Sequence, residues 1–318
     1  MTGVTNRFKL HRQAPLLTCI TLLLATASLF SAISHAGARD LPVGDGHVTG
    51  YPAVGNVFSC QADFRGGGAQ HDGPWFHGKT WNPAEKLLVA GRRTWPEAEF
   101  SLKANGDRLS FKGNGLPVGH PTGQFPISPD DPAYRYDTNP NAIAAGNLSF
   151  DIPAAPVRAN SPGCLPMGMI GFTTTGVAIY NALDAAGRDA AAHEVQDLCN
   201  GHPQGRGQYH YHSSSPCLPG AEANALVGWA LDGYPIMGMR DANGATLSNA
   251  GLDACHGRAE TIKVDGRSYG YAYRLTPEYP YTLGCFTGQS LPGVRQAIQS
   301  GLGPPRRGGP GGPPPPRP

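Results

Sequence analysis

Apolar and polar residues alternate in short runs along most of this chain, and turn-forming residues separate the runs. In the N-terminal part, strand-like runs include KLLVAG, EFSLKANGDRLSFKG and NLSFDI. Asn105 and Gly106 lie between two alternating runs, and an Asn-Gly pair in that setting is a strong signal for a β-hairpin. The best helix candidate is GRDAAAHEVQDL at Gly187–Leu198. The pattern predicts a mainly β fold with few short helices.

Two segments of the second half repeat the same order of features. The stretch IGFTTTGVAIYNALDAAGRD at 170–189 aligns with VGWALDGYPIMGMRDANGAT at 227–246. Each is typical of a strand, a glycine turn, a second strand and a polar turn. Farther along, DLCNGH matches DACHGR with a shift of one residue, and YHYH at 209–212 matches YAYR at 271–274. A series this long, kept in one order, indicates an internal duplication.

The duplication predicts the domain organisation. Residues 165–290 are expected to form two pseudo-symmetric repeats, at about 165–222 and 223–290, and residues 37–164 a β-rich N-terminal part. We expect the repeats to pack face to face, because one such unit could hardly bury a hydrophobic core alone.

The two ends of the chain depart from the alternating pattern. Three basic residues precede an apolar run and then small residues around Ala36, which is the pattern of a secretory signal peptide at residues 1–36. The apolar run is too short for a membrane anchor, so no stable membrane insertion is expected. Glycine and proline dominate residues 303–318, and this composition predicts a disordered tail. The mature protein is therefore expected to be periplasmic or secreted.

Composition and charge narrow the range of partners. Glycine (44 residues) and proline (31 residues) are abundant, which suits strands punctuated by turns. The formal net charge of +2 falls to about −1 once the three basic residues of the signal peptide are removed. No basic stripe or acidic block remains, so nucleic acid is not expected as a partner. A small molecule or a component of the cell envelope stays open as the partner.

The cysteines predict a disulfide-stapled fold. Six cysteines remain after the signal peptide is removed, and an even number in an exported protein indicates three disulfides. Spacing alone does not decide among the possible pairings. The duplication favours one bridge within each repeat and a third that ties the N-terminal part, through Cys60, to Cys164. The expected pairs are Cys199–Cys217, Cys255–Cys285 and Cys60–Cys164.

The strand YHYH carries the strongest chemical signal. Alternate side chains of a strand share a face, so His210 and His212 point one way and the two tyrosines point the other. A disulfide between the flanking cysteines would fold His202 back toward this pair. Three imidazoles in this arrangement predict a transition-metal site that binds copper or zinc.

The fourth metal position decides what such a site does. An open position would permit metal-dependent catalysis, whereas closure by His120 or His256 would favour storage, delivery or a structural role. The sequence contains no nucleophile elbow, phosphate-binding loop, dinucleotide fingerprint or HExxH motif. Whether the protein is an enzyme therefore stays open.

Other interpretations of the histidines also stay open. A zinc site of the Cys2His2 type would use Cys199, His202, His212 and Cys217. Against it, the second repeat keeps both cysteines but has other residues in place of the histidines, namely Arg258, Ala272 and Arg274. Alternatively, YHYH is an ordinary strand in a metal-free module of the cell envelope, whose aromatic strands bind a glycan or a protein partner.

The motifs of the second half resemble those of the bacterial YHYH-domain proteins. The shared stretches include CNGHPQGRGQ before YHYH, SPCL after it, LVGWALDGYPIMG, LDACHG and EYPYTLGCF. GNGLPVGHPTGQFP and YDTNPNAI extend the likeness over about residues 75–290. The resemblance implies an exported protein whose biochemical role is poorly defined. It also implies a second YHYH-like element after a CHGH segment. This chain has CHGR and YAYR there, so only the first repeat is expected to carry the site.

Overall fold

The computed structural model describes residues 39–304, so the predicted signal peptide and the predicted tail beyond Pro304 lie outside the described residues. Most regular structure is β, as predicted, and the helices are short. Helix α1 spans Ala190–His193 and helix α2 spans Val294–Gly301. Among the described residues, no helix is long and apolar enough to cross a membrane.

Small sheets form the N-terminal part. Their strands in chain order are β1 (Leu41–Pro42), β2 (Val48–Thr49), β3 (Val57–Phe58), β4 (Phe76–His77), β5 (Thr80–Trp81), β6 (Phe100–Asn105), β7 (Arg108–Gly113), β8 (Leu148–Pro153) and β9 (Arg158–Gly163). Strands β6, β7 and β8 form an antiparallel sheet, and Asn105 pairs with Arg108 across the hairpin, which confirms the Asn-Gly signal. The run KLLVAG forms no strand, because Lys86 turns inward to the α1 carbonyl of Ala191 and only Val89 makes a bridge.

Eight strands of the second half form one sheet. In chain order they are β10 (Met169–Thr173), β11 (Ala178–Tyr180), β12 (Gly201–Pro203), β13 (Tyr209–Tyr211), β14 (Leu226–Ala230), β15 (Pro235–Met237), β16 (Gly257–Val264) and β17 (Arg267–Arg274). Across the sheet the order is β12-β13-β11-β10-β14-β15-β17-β16. The first four and the last four strands therefore follow the same order outward from the central β10–β14 pair. Strand β18 (Phe286–Gly288) lies outside this sheet and pairs with β9.

The strand register agrees with the alignment of the two segments. Ile179 pairs with Tyr211 where β11 runs parallel to β13, and Ile236 pairs with Tyr273 where β15 runs parallel to β17. The two aligned tyrosines thus occupy equivalent places in the two halves. That the halves arose by duplication stays a prediction.

The two halves are joined side by side through β10 and β14, not packed face to face as the sequence predicted. Glycine permits this joint: a Cβ on Gly171 would lie 2.7 Å from the carbonyl oxygen of Trp229, and one on Gly228 would lie closer still to that of Phe172. The sheet buries its core against β6–β8 instead. The ring of Phe172 lies 4.8 Å from that of Phe111 and 5.9 Å from that of Phe150, measured between centroids.

All three predicted cysteine pairs are disulfides in the structure. Cys199–Cys217 closes the first half, Cys255–Cys285 closes the second, and Cys60–Cys164 ties the N-terminal part to the beginning of the sheet. The disulfide-stapled, mainly β fold is therefore confirmed.

Candidate metal site

Two neighbouring strands bring the three predicted histidines together. His202 on β12 pairs directly with His210 on β13, and His212 lies two residues beyond His210 on the same face. The Nε2 atoms of His210 and His212 are 3.0 Å apart. One ligand atom from each of the three imidazoles lies within 4.8 Å of the others, and all three side chains are buried.

Backbone carbonyls fix the protonation of two of the rings. Nδ1 of His210 lies 3.1 Å from the carbonyl oxygen of Gln208, and Nδ1 of His212 lies 2.6 Å from that of Asn181. A carbonyl only accepts, so both Nδ1 atoms must donate and carry the ring proton. In the neutral rings, the Nε2 atoms then present two unprotonated lone pairs to each other across 3.0 Å.

The third ring adds an unsatisfied nitrogen. Nε2 of His202 is buried and has no hydrogen-bond partner. Its Nδ1 lies 3.5 Å from the amide nitrogen of Asn139, which already donates to the carbonyl oxygen of Pro203 at 3.1 Å. A buried nitrogen without a partner costs free energy, so its position calls for a ligand or an ion.

Glu194, which the sequence did not single out, lies beside the cluster. Its Oε2 lies 3.5 Å from Nε2 of His202 and 3.5 Å from Nε2 of His212. This oxygen is also buried without a hydrogen-bond partner. The carboxylate oxygen therefore lies beside two of the three imidazole nitrogens. The sequence signal that could have identified Glu194 is its position as an acidic residue within the predicted helix, a few residues before His202.

The early end of helix α1 places Glu194. The sequence predicted a helix over Gly187–Leu198, but it ends at His193 and Glu194 is extended. Side chains take the place of helical donors: Trp75 donates to the carbonyl of Ala192 and Lys86 to that of Ala191. Because a carbonyl occupied in this way does not accept a helical N–H, the helix does not continue. The side chain of Glu194 then faces the histidines.

Burial keeps the imidazoles neutral. It lowers the pKa of His202 and of His210 well below the usual value, and the charge of the neighbouring histidines acts in the same direction. Burial also lowers the pKa of His212 to about 4. Burial, followed by the charges of Asp137 and Asp184, raises the pKa of Glu194 well above its usual value. Neutral imidazole is the form that binds a metal ion.

A cleft of about 450 Å³ leads to the histidines. The three rings and Glu194 line it together with polar side chains, among them Gln70, Asn139, Tyr180, Gln204 and Arg206. The ring of Tyr180 stacks on His210 with 3.8 Å between centroids. A small polar molecule therefore has a route to the ligand atoms.

The structure places the other predicted residues away from this cluster. Nε2 of His120 accepts from the Tyr211 hydroxyl at 2.9 Å, on the opposite face of β13. Nε2 of His256 lies 3.0 Å from the Thr276 hydroxyl in the second half of the sheet. Glu194, not His120 or His256, is thus the further potential ligand that lies beside the histidines. Because Cys199 is bonded to Cys217, the Cys2His2 alternative has no thiolates to use.

Comparisons with known proteins bear on the same region. The model of the family described as "YHYH protein" matches residues 149–251, which include Glu194 and the three clustered histidines. A search of the curated proteins and a search of the solved structures found no match. The family match and the motif agree that residues 149–251 carry a YHYH domain.

Proposed function

We propose that this protein binds a transition-metal ion, zinc or copper, through Nε2 of His202, His210 and His212, with the carboxylate of Glu194 as the fourth ligand. The observation that carries the proposal is the 3.0 Å approach of two imidazole nitrogens whose protons are both on the far side of the ring. Two lone pairs at this distance repel each other unless a cation lies between them.

The spacing of the ligand atoms suits a metal ion. Zinc binds imidazole nitrogen at about 2.0–2.1 Å, so the ligand atoms of a tetrahedral site lie about 3.3 Å apart. In the structure, the Nε2 atoms of His210 and His212 are 3.0 Å apart, and Oε2 of Glu194 lies 3.5 Å from Nε2 of His202 and of His212. One ion would also satisfy the two buried atoms that lack partners, Nε2 of His202 and Oε2 of Glu194.

A shared proton is the simplest rival cation. Shared between His210 and His212, it would have to protonate a ring whose pKa burial lowers, to about 4 for His212. It would also leave Nε2 of His202 without a partner. A divalent ion serves all four groups at once, and the Glu194 carboxylate offsets part of its charge.

The donor set favours zinc or copper over harder ions. Imidazole nitrogen suits zinc and copper, whereas magnesium and calcium prefer oxygen ligands throughout. Zinc in particular accepts a mixed set of histidine nitrogen and carboxylate oxygen.

A metal-dependent reaction on a small polar molecule, with Glu194 leaving the fourth metal position open, is a second candidate function, and the cleft favours it. A bound zinc or copper ion would supply Lewis-acid or redox chemistry there. The protein's own contribution would be to hold the molecule with the amides of Gln70, Asn139 and Gln204, which line the cleft beside the histidines.

We also propose export to the periplasm or beyond. Three disulfides suit an oxidising compartment. The signal-peptide pattern of the sequence supports the same location.

Metal analysis of the protein purified from a periplasmic extract tests the metal proposal. One equivalent of zinc or copper is expected in the wild type. Titration of the metal-free protein should show a loss of affinity of about a hundredfold in His210→Ala, His212→Ala and Glu194→Gln, because each removes one ligand. His256→Asn is the matched control, since it alters a buried histidine outside the cluster. If the wild type binds neither ion, the metal proposal is wrong and the alternative of a metal-free binding module is favoured.

A further inference from the structure

We propose a second metal site on the opposite face of β13, formed when the Cys199–Cys217 disulfide is reduced. The thiolates of these two cysteines and the imidazole of His120 would then bind one thiophilic ion, Zn²⁺ or Cu⁺. This proposal is independent of the cluster around His210, because the two sites share no ligand.

The three side chains already lie together. One ring nitrogen of His120 and the two sulfur atoms are within 4.8 Å of one another. The sulfur of Cys199 lies 3.3 Å from the carbonyl oxygen of Pro121, which also accepts from Nδ1 of His120 at 3.0 Å. His120 and Cys217 are partly exposed, so both a reductant and an ion have access.

Hydrogen bonds other than the disulfide hold the backbone around these residues. The carboxylate of Asp197 accepts from the backbone N–H of Cys199 at 2.9 Å and from that of Gly123, in the loop after His120, at 2.7 Å. The backbone N–H of Cys217 donates to the hydroxyl of Ser215 at 3.1 Å. The backbone positions of the three ligand residues are therefore expected to persist after the disulfide is reduced.

The chemistry needs an external dithiol reductant. Reduction breaks the sulfur–sulfur bond with two electrons and two protons from the dithiol, which becomes a disulfide, and leaves two thiols. Metal binding then releases the two thiol protons. Zinc–sulfur bonds of about 2.3 Å require sulfur atoms about 3.8 Å apart. The Cα atoms are 5.2 Å apart, so side-chain rotation can supply that separation.

The other disulfides provide an internal contrast. Among the described residues, only two groups of potential ligands are found, the histidine cluster and this one. Cys255–Cys285, the equivalent bridge of the second half, is therefore without a neighbouring histidine of this kind. Soft thiolate ligands select Zn²⁺ and Cu⁺ more strongly than imidazole ligands do.

Cobalt(II) is the probe, because a thiolate ligand gives a sulfur-to-cobalt charge-transfer band that imidazole and carboxylate cannot give. The full chain carrying His212→Ala, which weakens the first site, is titrated with Co²⁺ under anaerobic conditions before and after treatment with a dithiol. The band is expected only after reduction and at one equivalent, and Zn²⁺ should displace the cobalt.

Two further variants locate the site. In Cys199→Ser/Cys217→Ser the band should be absent, and in His120→Gln the cobalt affinity should fall tenfold or more. A band of equal strength in the double serine variant would assign it to other cysteines and overturn the proposal. Loss of the native near-ultraviolet circular dichroism on reduction, or unchanged affinity in His120→Gln, would overturn it as well.

Discussion

His202, His210 and His212 in the first half of the sheet align with Arg258, Ala272 and Arg274 in the second. In the first set Nε2 of His202 is buried without a partner, whereas both arginines of the second set form ion pairs with Glu260. Arg274 is fully buried, and its guanidinium donates to both carboxylate oxygens of Glu260 at 2.6 Å. It also donates to the side chain of Asn224 at 2.8 Å and to the carbonyl of Arg240 at 2.9 Å.

The two carboxylates show the same contrast. Burial alone would raise the pKa of Glu260, but hydrogen bonds from Arg274 and Arg258 lower it below the usual value. Glu194 has no such donor, and burial raises its pKa. In the second half the protein supplies its own cations, whereas in the first half the proposed cation is a metal ion from outside the chain.

The opposite face of the same strands is alike in both halves. Asp197 accepts from Tyr209 and from the N–H groups of Cys199 and Gly201. Asp253 accepts from Tyr271 and from the N–H groups of the residues that align with those two, Cys255 and Gly257. The two halves thus share a tyrosine–aspartate–disulfide framework and differ in the face that carries the histidines in the first half.

The largest effect is expected when the histidine face of the first half receives the aligned residues of the second half. His202→Arg, Gln204→Glu, His210→Ala and His212→Arg together should let the carboxylate introduced at position 204 pair with the guanidinium introduced at position 212, as Glu260 pairs with Arg274. Metal affinity should fall at least a thousandfold, because all three imidazoles are gone, while the fold persists. Titration with a chromophoric chelator and near-ultraviolet circular dichroism check the two parts of this prediction. Retained affinity would mean that the cluster does not bind the metal.

The reverse exchange sharpens the comparison. Arg258→His, Glu260→Gln, Ala272→His and Arg274→His should create a second imidazole cluster. Neither Ala250, which aligns with Glu194, nor the next residue, Gly251, has a carboxylate. A second equivalent of zinc is therefore expected to bind about a hundredfold more weakly than the first, as measured by calorimetric titration. Equal affinities would show that Glu194 is not a ligand.

Asn200 in the first half aligns with His256 in the second, and both have a positive φ, 58° and 68°. Because only one of the two residues titrates, we expect the two positions to contribute differently to acid stability. Burial lowers the pKa of His256 to about 3. In the unfolded chain this histidine is protonated below about pH 6.5, whereas in the folded chain it stays neutral down to about pH 3. The histidine therefore lowers the free energy of unfolding as pH falls from about 6.5 toward 3. His256→Asn should remove about 2 kcal/mol of that loss at pH 5. Urea unfolding of the metal-free protein at pH 7 and pH 5 measures it. An unchanged pH dependence would contradict the buried neutral ring.

The tyrosine hydroxyls give the smallest expected difference. Tyr209 donates to the buried Asp197, whereas Tyr271 donates to Asp253, whose side chain is 35% exposed and also meets Arg158. Tyr209→Phe should therefore cost about 2 kcal/mol of unfolding free energy and Tyr271→Phe about 1 kcal/mol. Chemical denaturation of the two variants tests the order. Equal costs would mean that water reaches both carboxylates alike.

Local pattern predicted the parts of the fold and site that local geometry decides. Strand alternation put His210 and His212 on one face and both tyrosines on the other, where they are buried. The alignment of the halves gave the disulfide pairs. Glu194 was missed because its position depends on Trp75, more than a hundred residues away in sequence, which takes a helix carbonyl. The side-by-side joint was missed because it depends on a close backbone approach that only the folded sheet reveals.

The β10–β14 joint has a consequence for aggregation. Pairing the two halves through these apolar strands removes two open sheet edges, and an open edge is a template for pairing with another chain. The edges that remain are β12 and β16. Strand β12 is three residues long and ends in Pro203, which has no N–H to donate, and β16 carries charged side chains such as Lys263. Either half produced alone would expose β10 or β14, and we expect it to self-associate.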